Sequence, residues 1–101
     1  MIPQKVIDGI HDDIDDIIEG IPSEIRHMIS PYVKYKLDYE HDVDFLYGMA
    51  IGKVWRKFSM LMVFEQKRQA TQAELVEFSE LLYKRALEIK EAIDYAINEN
   101  N

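Results

Sequence analysis

The stretch Asp42–Arg68, DVDFLYGMAIGKVWRKFSMLMVFEQKR, decides the fold of this chain of 101 residues. It contains no proline, and at 100° per residue its apolar side chains fall on almost every side of a helix. A helix of this kind has neighbours on both sides, from the same chain or from a second chain. We therefore predict a buried central helix over residues 41–68.

Two glycines interrupt the central helix at a spacing of four residues. Gly48 and Gly52 lie on one line with Ser59, and each glycine costs about 1 kcal/mol relative to alanine inside a helix. Close packing of another helix is the expected compensation. The pattern predicts an interface at Gly48, Gly52, Trp55 and Ser59, and it leaves open whether the packing helix belongs to the same chain or to a second copy.

Composition places the chain among all-α proteins. It is 48% hydrophobic, with few glycines and prolines and no cysteine, which favours one helical domain over 1–101 and excludes disulfides and thiolate metal sites. The N-terminus lacks the pattern of a secretory signal, so we expect a cytoplasmic location. Charged residues interrupt every long apolar run, which argues against a membrane span. The net charge of −7 disfavours binding to nucleic acid.

The remaining helices are predicted from their apolar stripes and from their start and stop signals. Gly20 and Pro22 are expected to end the first helix, Ser30 and Pro31 to begin a new segment, and Thr71 with Glu74 to form a capping box. Whether residues 31–68 form one helix stays open, and a break near residues 38–42 is favoured. Short loops indicate an antiparallel up-down bundle of about four helices, with approximate bounds 3–19, 22–38 kinked at Pro31, 41–68 and 72–98.

Charge is distributed unevenly along the chain. Residues 1–24 carry seven acidic side chains and one lysine, whereas residues 53–68 carry five basic side chains and one glutamate. This polarity could attract an external partner. We expect instead that the acidic first helix and the basic third helix lie side by side in the fold, where each surface ion pair stabilises by about 0–1 kcal/mol.

Two pairs of acidic residue and histidine have the spacing of metal ligands. Glu24-x-x-His27 and Asp38-x-x-His41 each place two ligands on one helix face, as in di-iron carboxylate bundles. Such sites also take a bridging glutamate from each of two further helices, and the apolar stripes of the first and last helices contain none. A small metal-dependent enzyme that uses these four residues is therefore the alternative hypothesis. Under the leading hypothesis, given below, we expect no cofactor.

Four acidic residues of the last helix resemble a family signature. Glu74-x-x-Glu77 and Glu91-x-x-Asp94 are similar to the Glu-x-x-Glu…Glu-x-x-Asp pattern of all-α nucleotide pyrophosphohydrolases of the MazG type, which implies magnesium bound between two helices. Here both halves lie on one predicted helix, where 17 residues separate Glu74 from Glu91 by roughly 25 Å. Carboxylates that far apart do not share one ion, whose ligands lie at about 2.1 Å. We therefore expect these residues to be solvated.

The sequence contains no glycine-rich phosphate loop, no serine elbow and no thiol nucleophile. The leading hypothesis is a non-enzymatic helical module that forms a homodimer and presents a surface to a protein partner. The metal-dependent enzyme is the second hypothesis. A third, in which the basic side chains of residues 53–68 bind anionic ligands or RNA, is opposed by the overall negative charge.

Overall fold

The computed structural model describes residues 1–28, 30–38 and 41–99 of the chain. These residues form α-helices and no strand, which confirms the predicted all-α bundle. The described helices are α1 (Gln4–Met28), α2 (Pro31–Leu37), α3 (Asp42–Gln66) and α4 (Gln72–Glu99).

Helices α1 and α3 run antiparallel, with the acidic helix beside the basic one. The ammonium group of Lys5 lies 3.3 Å from a carboxylate oxygen of Glu65. Toward the other end of the pair, Glu24 accepts a hydrogen bond from Lys53. The expectation that the two oppositely charged helices pack together is confirmed, and both ion pairs lie between partly or largely exposed side chains.

Helix α4 completes the bundle by packing against both α1 and α3. Phe58 of α3 stacks on Phe78 of α4 with ring centroids 4.3 Å apart. Nearer the start of α3, the ammonium group of Lys90 lies 5.6 Å from the ring centroid of Tyr47. Helix α4 therefore runs antiparallel to α3 and parallel to α1. The short α2 contacts α1.

The core lies between the three long helices, and α3 buries one side there. The side of α3 opposite the core is exposed and still carries large apolar residues, so the rest of the described chain covers one of its two apolar sides. Each long helix contributes buried positions at helical spacing: Val6, Ile10, Ile14, Ile21 and Ile25 from α1; Leu46, Ala50, Val54, Phe58 and Met62 from α3; Phe78, Leu82, Ile89, Ile93 and Ala96 from α4.

The predicted end of the first helix at Glu19 is corrected by the structure. Helix α1 continues through Gly20 and Pro22 to Met28. Ile21 and Ile25 are buried and extend the apolar stripe of α1, and burying an isoleucine stabilises by about 1.5–3 kcal/mol. Those two contributions offset a proline cost of about 3 kcal/mol and a glycine cost of about 1 kcal/mol. Tertiary packing thus outweighs the local stop signals.

The predicted start at Pro31 is confirmed, although the segment before it belongs to α1. The hydroxyl of Ser30 accepts a hydrogen bond from the backbone N–H of Val33 at 3.3 Å and caps α2. Asp38 follows α2 with a left-handed φ of 55°, and α3 begins at Asp42, so residues 31–68 are not one continuous helix. Ile29 of the predicted second helix, and Tyr39 and Glu40 of the predicted break near residues 38–42, lie outside the described residues.

The turn between α3 and α4 is closed by a cap on each side. Lys67 adopts a left-handed φ of 58°, and its N–H donates to the carbonyl of Val63 at 3.0 Å. The hydroxyl of Thr71 accepts a hydrogen bond from the N–H of Glu74 at 3.2 Å, and the Glu74 carboxylate accepts one from the N–H of Thr71 at 2.9 Å. The predicted capping box is confirmed.

Candidate functional site

The four predicted interface residues lie on α3 outside the buried stripe, with Trp55 at its margin. Gly48, Gly52, Trp55 and Ser59 are all exposed. A Cβ atom built on either glycine would meet no heavy atom of another described element within 4 Å. The glycines are therefore not compensated by close packing inside the described part of the chain.

A shallow groove runs between the outer sides of α3 and α4. Its first part, about 660 Å³, lies between Trp55 on α3 and Val76 and Tyr83 on α4. Its second part, about 420 Å³, lies between Tyr47 on α3 and Tyr83 and Leu87 on α4. Because both parts share Tyr83, we treat them as one α3–α4 groove. Most of its large side chains are apolar, and Tyr83 is 83% exposed.

Trp55 is held in a defined orientation at the edge of the α3–α4 groove. Its ring meets Phe78 edge to face, with centroids 5.4 Å apart and planes at 78°. Phe78 is fully buried and stacks on Phe58. Trp55 nevertheless remains 44% exposed. The Trp55 ring is therefore fixed on one side by the core and open to solvent on the other.

Close approach of two helices inside the bundle occurs at a glycine that the sequence analysis did not single out. A Cβ atom at Gly9 would stand 2.8 Å from Cδ1 of Leu61, so α1 and α3 are in contact there. The available signal was the position of Gly9 beside Ile10 on the apolar stripe of α1. This close approach inside the bundle is distinct from the interface predicted at Gly48, Gly52, Trp55 and Ser59, which stays a prediction.

A second exposed apolar area lies near the C-terminal end of α3. Met60, Val63 and Phe64 line a depression of about 540 Å³ together with the aliphatic part of Lys57. The ammonium group of Lys67 lies 5.3 Å from the ring centroid of Phe64. This area continues the exposed side of α3 toward the turn that leads into α4.

Comparisons with protein-family models, with curated proteins and with solved structures found no match to this chain. The candidate site therefore rests on the geometry of the chain itself. None of the helices in the described ranges combines the length and the apolar character that crossing a membrane requires.

The four residues of the alternative metal site are not assembled. Glu24 is engaged in its ion pair with Lys53. His27, Asp38 and His41 are exposed, and the described residues contain no group of three or more histidines and carboxylates that could hold a metal ion. The local spacing of each pair is present on the chain, but residues 1–28, 30–38 and 41–99 supply no further ligand beside it.

Two of the four residues that resemble the pyrophosphohydrolase signature, Glu74 and Glu77, have structural roles at the N-terminal end of α4, whereas Glu91 and Asp94 are exposed as expected. Glu74 is 1% exposed, which corrects the expectation that it is solvated. Its carboxylate accepts two hydrogen bonds from the Arg68 guanidinium, at 2.7 and 3.0 Å. These bonds and those to Thr71 lower the pKa of Glu74 to about 2. Glu77 accepts a hydrogen bond from the N–H of Ile2 at 2.9 Å and fixes the start of the chain to α4.

A second network of charges joins α1 to α4 around Arg85. The guanidinium donates to Asp15 at 2.6 Å, to the carbonyl of His11 at 3.2 Å and to Glu88 at 2.9 Å. The bonds from Arg85 lower the pKa of Glu88. Asp15 is largely exposed and, through Arg85, bridges the two helices. This arrangement links α1 to α4 through the guanidinium, whose three nitrogens each donate a hydrogen bond.

Proposed function

We propose that this protein is a non-enzymatic helical module that self-associates through the outer side of α3 and the α3–α4 groove, and presents surface to protein partners. The observation that carries the proposal is the exposure of large apolar side chains along this surface, among which Trp55 is held in place by Phe78. Trp55, Val76, Tyr83 and Leu87 are all between 44% and 83% exposed. Contiguous apolar surface of this kind marks interaction sites in soluble proteins.

Helix geometry supports the same proposal. Gly48 and Gly52 carry no side chain, and a Cβ atom at either residue would have no neighbour from another described element within 4 Å. The aromatic anchor Trp55 lies on the same helix, three residues after Gly52. A partner helix can therefore approach the axis of α3 closely there. The destabilising effect of two glycines in mid-helix, about 1 kcal/mol each, is then offset in the associated state and not in the monomer.

The alternative functions have less support from the described residues. A metal-dependent enzyme at Glu24, His27, Asp38 and His41 is not proposed, because those residues do not come together with a further ligand in the described ranges. The basic side chains of residues 53–68 are partly used within the fold. Lys53 binds Glu24 and Arg68 binds Glu74, which leaves fewer cations for an anionic ligand.

The test compares two glycine variants with the unmodified protein by sedimentation equilibrium. Gly52→Gln places a long side chain on the proposed surface, and we expect it to shift the protein from dimer to monomer. Gly20→Gln is the matched control, because Gly20 also lies inside a helix with no heavy atom of another described element within 4 Å of an added Cβ. Both changes replace glycine with a better helix former and should raise the stability of the monomer.

The two variants separate loss of association from loss of folding. Circular dichroism should show full helicity for both, with dimer dissociation confined to Gly52→Gln. Equal dimerisation of both variants would place the interface elsewhere. A monomeric unmodified protein at all concentrations would refute self-association, and loss of the dimer on addition of a chelator would favour a metal-dependent assembly.

A further inference from the structure

The exposed side of α3 carries a row of four residues that is complementary to itself. Asp44, Gly48, Gly52 and Arg56 follow one another at intervals of four residues, so they form one ridge along the helix. All four are exposed. We call this row the α3 ridge. It has an acid near the start of α3, two glycines in the middle and a base beyond them.

Neither charge of the α3 ridge is used inside the described part of the chain. The ion pairs and side-chain hydrogen bonds of the described residues include neither the Asp44 carboxylate nor the Arg56 guanidinium. By contrast, Lys53, only three residues before Arg56, is paired with Glu24. The two ends of the ridge are therefore available to an external partner.

Resting on the self-association proposed above, we infer that the partner is a second copy of this chain. In this dimer, two α3 helices cross antiparallel about a twofold axis between Gly48 and Gly52. A twofold interface is isologous, so a contact from one residue to another is made twice. Asp44 lies four residues before Gly48, and Arg56 lies four residues after Gly52. The axis therefore brings Asp44 opposite the partner's Arg56, and Gly48 opposite the partner's Gly52, on both sides.

The charges select this register over its neighbours. Shifting the register by one turn, so that the axis passes through Gly52, places Asp44 opposite the partner's Met60 and Gly48 opposite the partner's Arg56. Both ion pairs are then lost, and a long side chain meets the glycine. A parallel arrangement in register would place each Asp44 beside the other and each Arg56 beside the other. Like charges in contact suppress wrong pairings more strongly than correct pairs add affinity.

The surface area that a stable interface must bury also favours a second copy over a small ligand. A stable interface buries about 800 Å² on each partner, which is more than one crossing at two glycines provides. Helix α4 supplies the remainder, because Tyr83 and Leu87 line the α3–α4 groove next to Tyr47, one residue before Gly48. A partner helix that lies on the α3 ridge therefore also covers exposed apolar surface of α4.

The test is a charge-reversal experiment on the full chain, with dissociation constants from sedimentation equilibrium at about 0.1 M salt, where the screening length is about 10 Å. Asp44→Arg and Arg56→Asp should each weaken homodimerisation by at least about tenfold, because each replaces two attractions by two repulsions. The double variant Asp44→Arg/Arg56→Asp should recover the unmodified affinity. An equimolar mixture of the two single variants should form a heterodimer in which both pairs are attractive again.

Controls distinguish failure of this register from failure of the proposed function. Asp12→Arg makes the same change of charge at an exposed residue of α1 and should leave the dissociation constant unchanged. Because Asp44 lies in the first turn of α3, circular dichroism must show that Asp44→Arg remains helical. If Gly52→Gln abolishes the dimer while neither single reversal weakens it, or while the mixture fails to pair, the register is wrong and self-association stands. If the unmodified protein is monomeric, both inferences fail.

Discussion

Gly9 of α1 lies directly against Leu61 of α3, so that a Cβ atom at residue 9 would stand 2.8 Å from Cδ1 of Leu61. The acidic and basic helices are therefore in close contact at this point. It is flanked by the ion pair between Lys5 and Glu65 toward one end of the bundle. A side chain at residue 9 is thus restricted by packing against Leu61 and not by backbone conformation, since no described glycine has a positive φ.

Replacing Gly9 by valine should destabilise the protein by about 1–3 kcal/mol, the usual cost of overfilling a packed interface. The backbone fixes the position of Cβ, and valine adds two methyl groups to that atom beside Leu61. Urea unfolding followed by circular dichroism measures the change. The double variant Gly9→Val/Leu61→Ala should lose less stability than the sum of the two single variants. An unchanged urea midpoint for Gly9→Val would contradict the contact.

Replacing Gly20 by alanine should have the opposite effect. Gly20 lies inside the continuous helix α1, with no heavy atom of another described element within 4 Å of an added Cβ. Alanine is therefore accommodated and should stabilise the helix by about 0.5–1 kcal/mol. For a domain of this size, 1 kcal/mol corresponds to about 4–8 °C in thermal midpoint. A lower midpoint would instead support an end of the first helix at Gly20, as the sequence pattern predicted.

The contrast between Gly20 and the core shows what the sequence can and cannot predict. The apolar stripes are local patterns, and they correctly predict long helices over most of α1, α3 and α4. The end of α1 depends on Ile21 and Ile25, which become buried only when α3 and α4 are in place. Local stop signals compete with that tertiary contribution, and the sequence alone does not give its size. The capping box at Thr71 and Glu74 was predictable because all of its atoms lie within one turn.

In the candidate site, too, the features that the sequence does not predict are those that depend on tertiary packing. The exposure of Gly48, Gly52 and Trp55 follows from which side of α3 the rest of the bundle covers, and the periodicity of α3 leaves that choice open because apolar residues surround it. The burial of Glu74 depends on Arg68, six residues earlier across a turn. In the sequence, the spacing of charged residues around Glu74 does not distinguish it from an exposed glutamate.

The buried carboxylate of Glu74 should make stability depend on pH in a specific range. Its folded pKa is about 2, below the ordinary value of 4.5, because Arg68 and Thr71 donate hydrogen bonds to its charged form. The stability it contributes is fully present above about pH 4.5 and is lost as the pH falls toward 2. Glu74→Gln should therefore lower the thermal midpoint at pH 7, and the difference from the unmodified protein should shrink between pH 4.5 and 2.

The matched control for Glu74 is Glu91→Gln, which changes an exposed acid on the same helix. Its thermal midpoint should follow that of the unmodified protein across the same pH range. A constant difference between Glu74→Gln and the unmodified protein from pH 7 to 2 would show that shape, and not charge, makes Glu74 stabilising. Calorimetric scans at four or five pH values are enough to distinguish the two cases.

The single tryptophan of the chain provides an intrinsic probe of the proposed interface. Trp55 is 44% exposed in the monomer and lines the α3–α4 groove. Association through this surface should cover the indole, so acrylamide quenching should decrease as protein concentration rises through the dissociation constant. Gly52→Gln should keep the quenching at its monomer level at every concentration. Quenching that does not change while the mass doubles would place the interface away from Trp55.

Truncating Trp55 to alanine should weaken association by more than about tenfold, as expected for a central aromatic anchor. The same change removes the edge-to-face contact with Phe78, a loss of about 0.5–1.5 kcal/mol of folding stability, so the two effects must be measured separately. Sedimentation equilibrium gives the first, and urea unfolding of dilute monomer gives the second. Tyr95→Ala is the control, because Tyr95 is an exposed aromatic residue of α4 that does not line the groove. Equal weakening by the two variants would mean that exposed aromatic surface in general, and not the anchored position of Trp55, drives association.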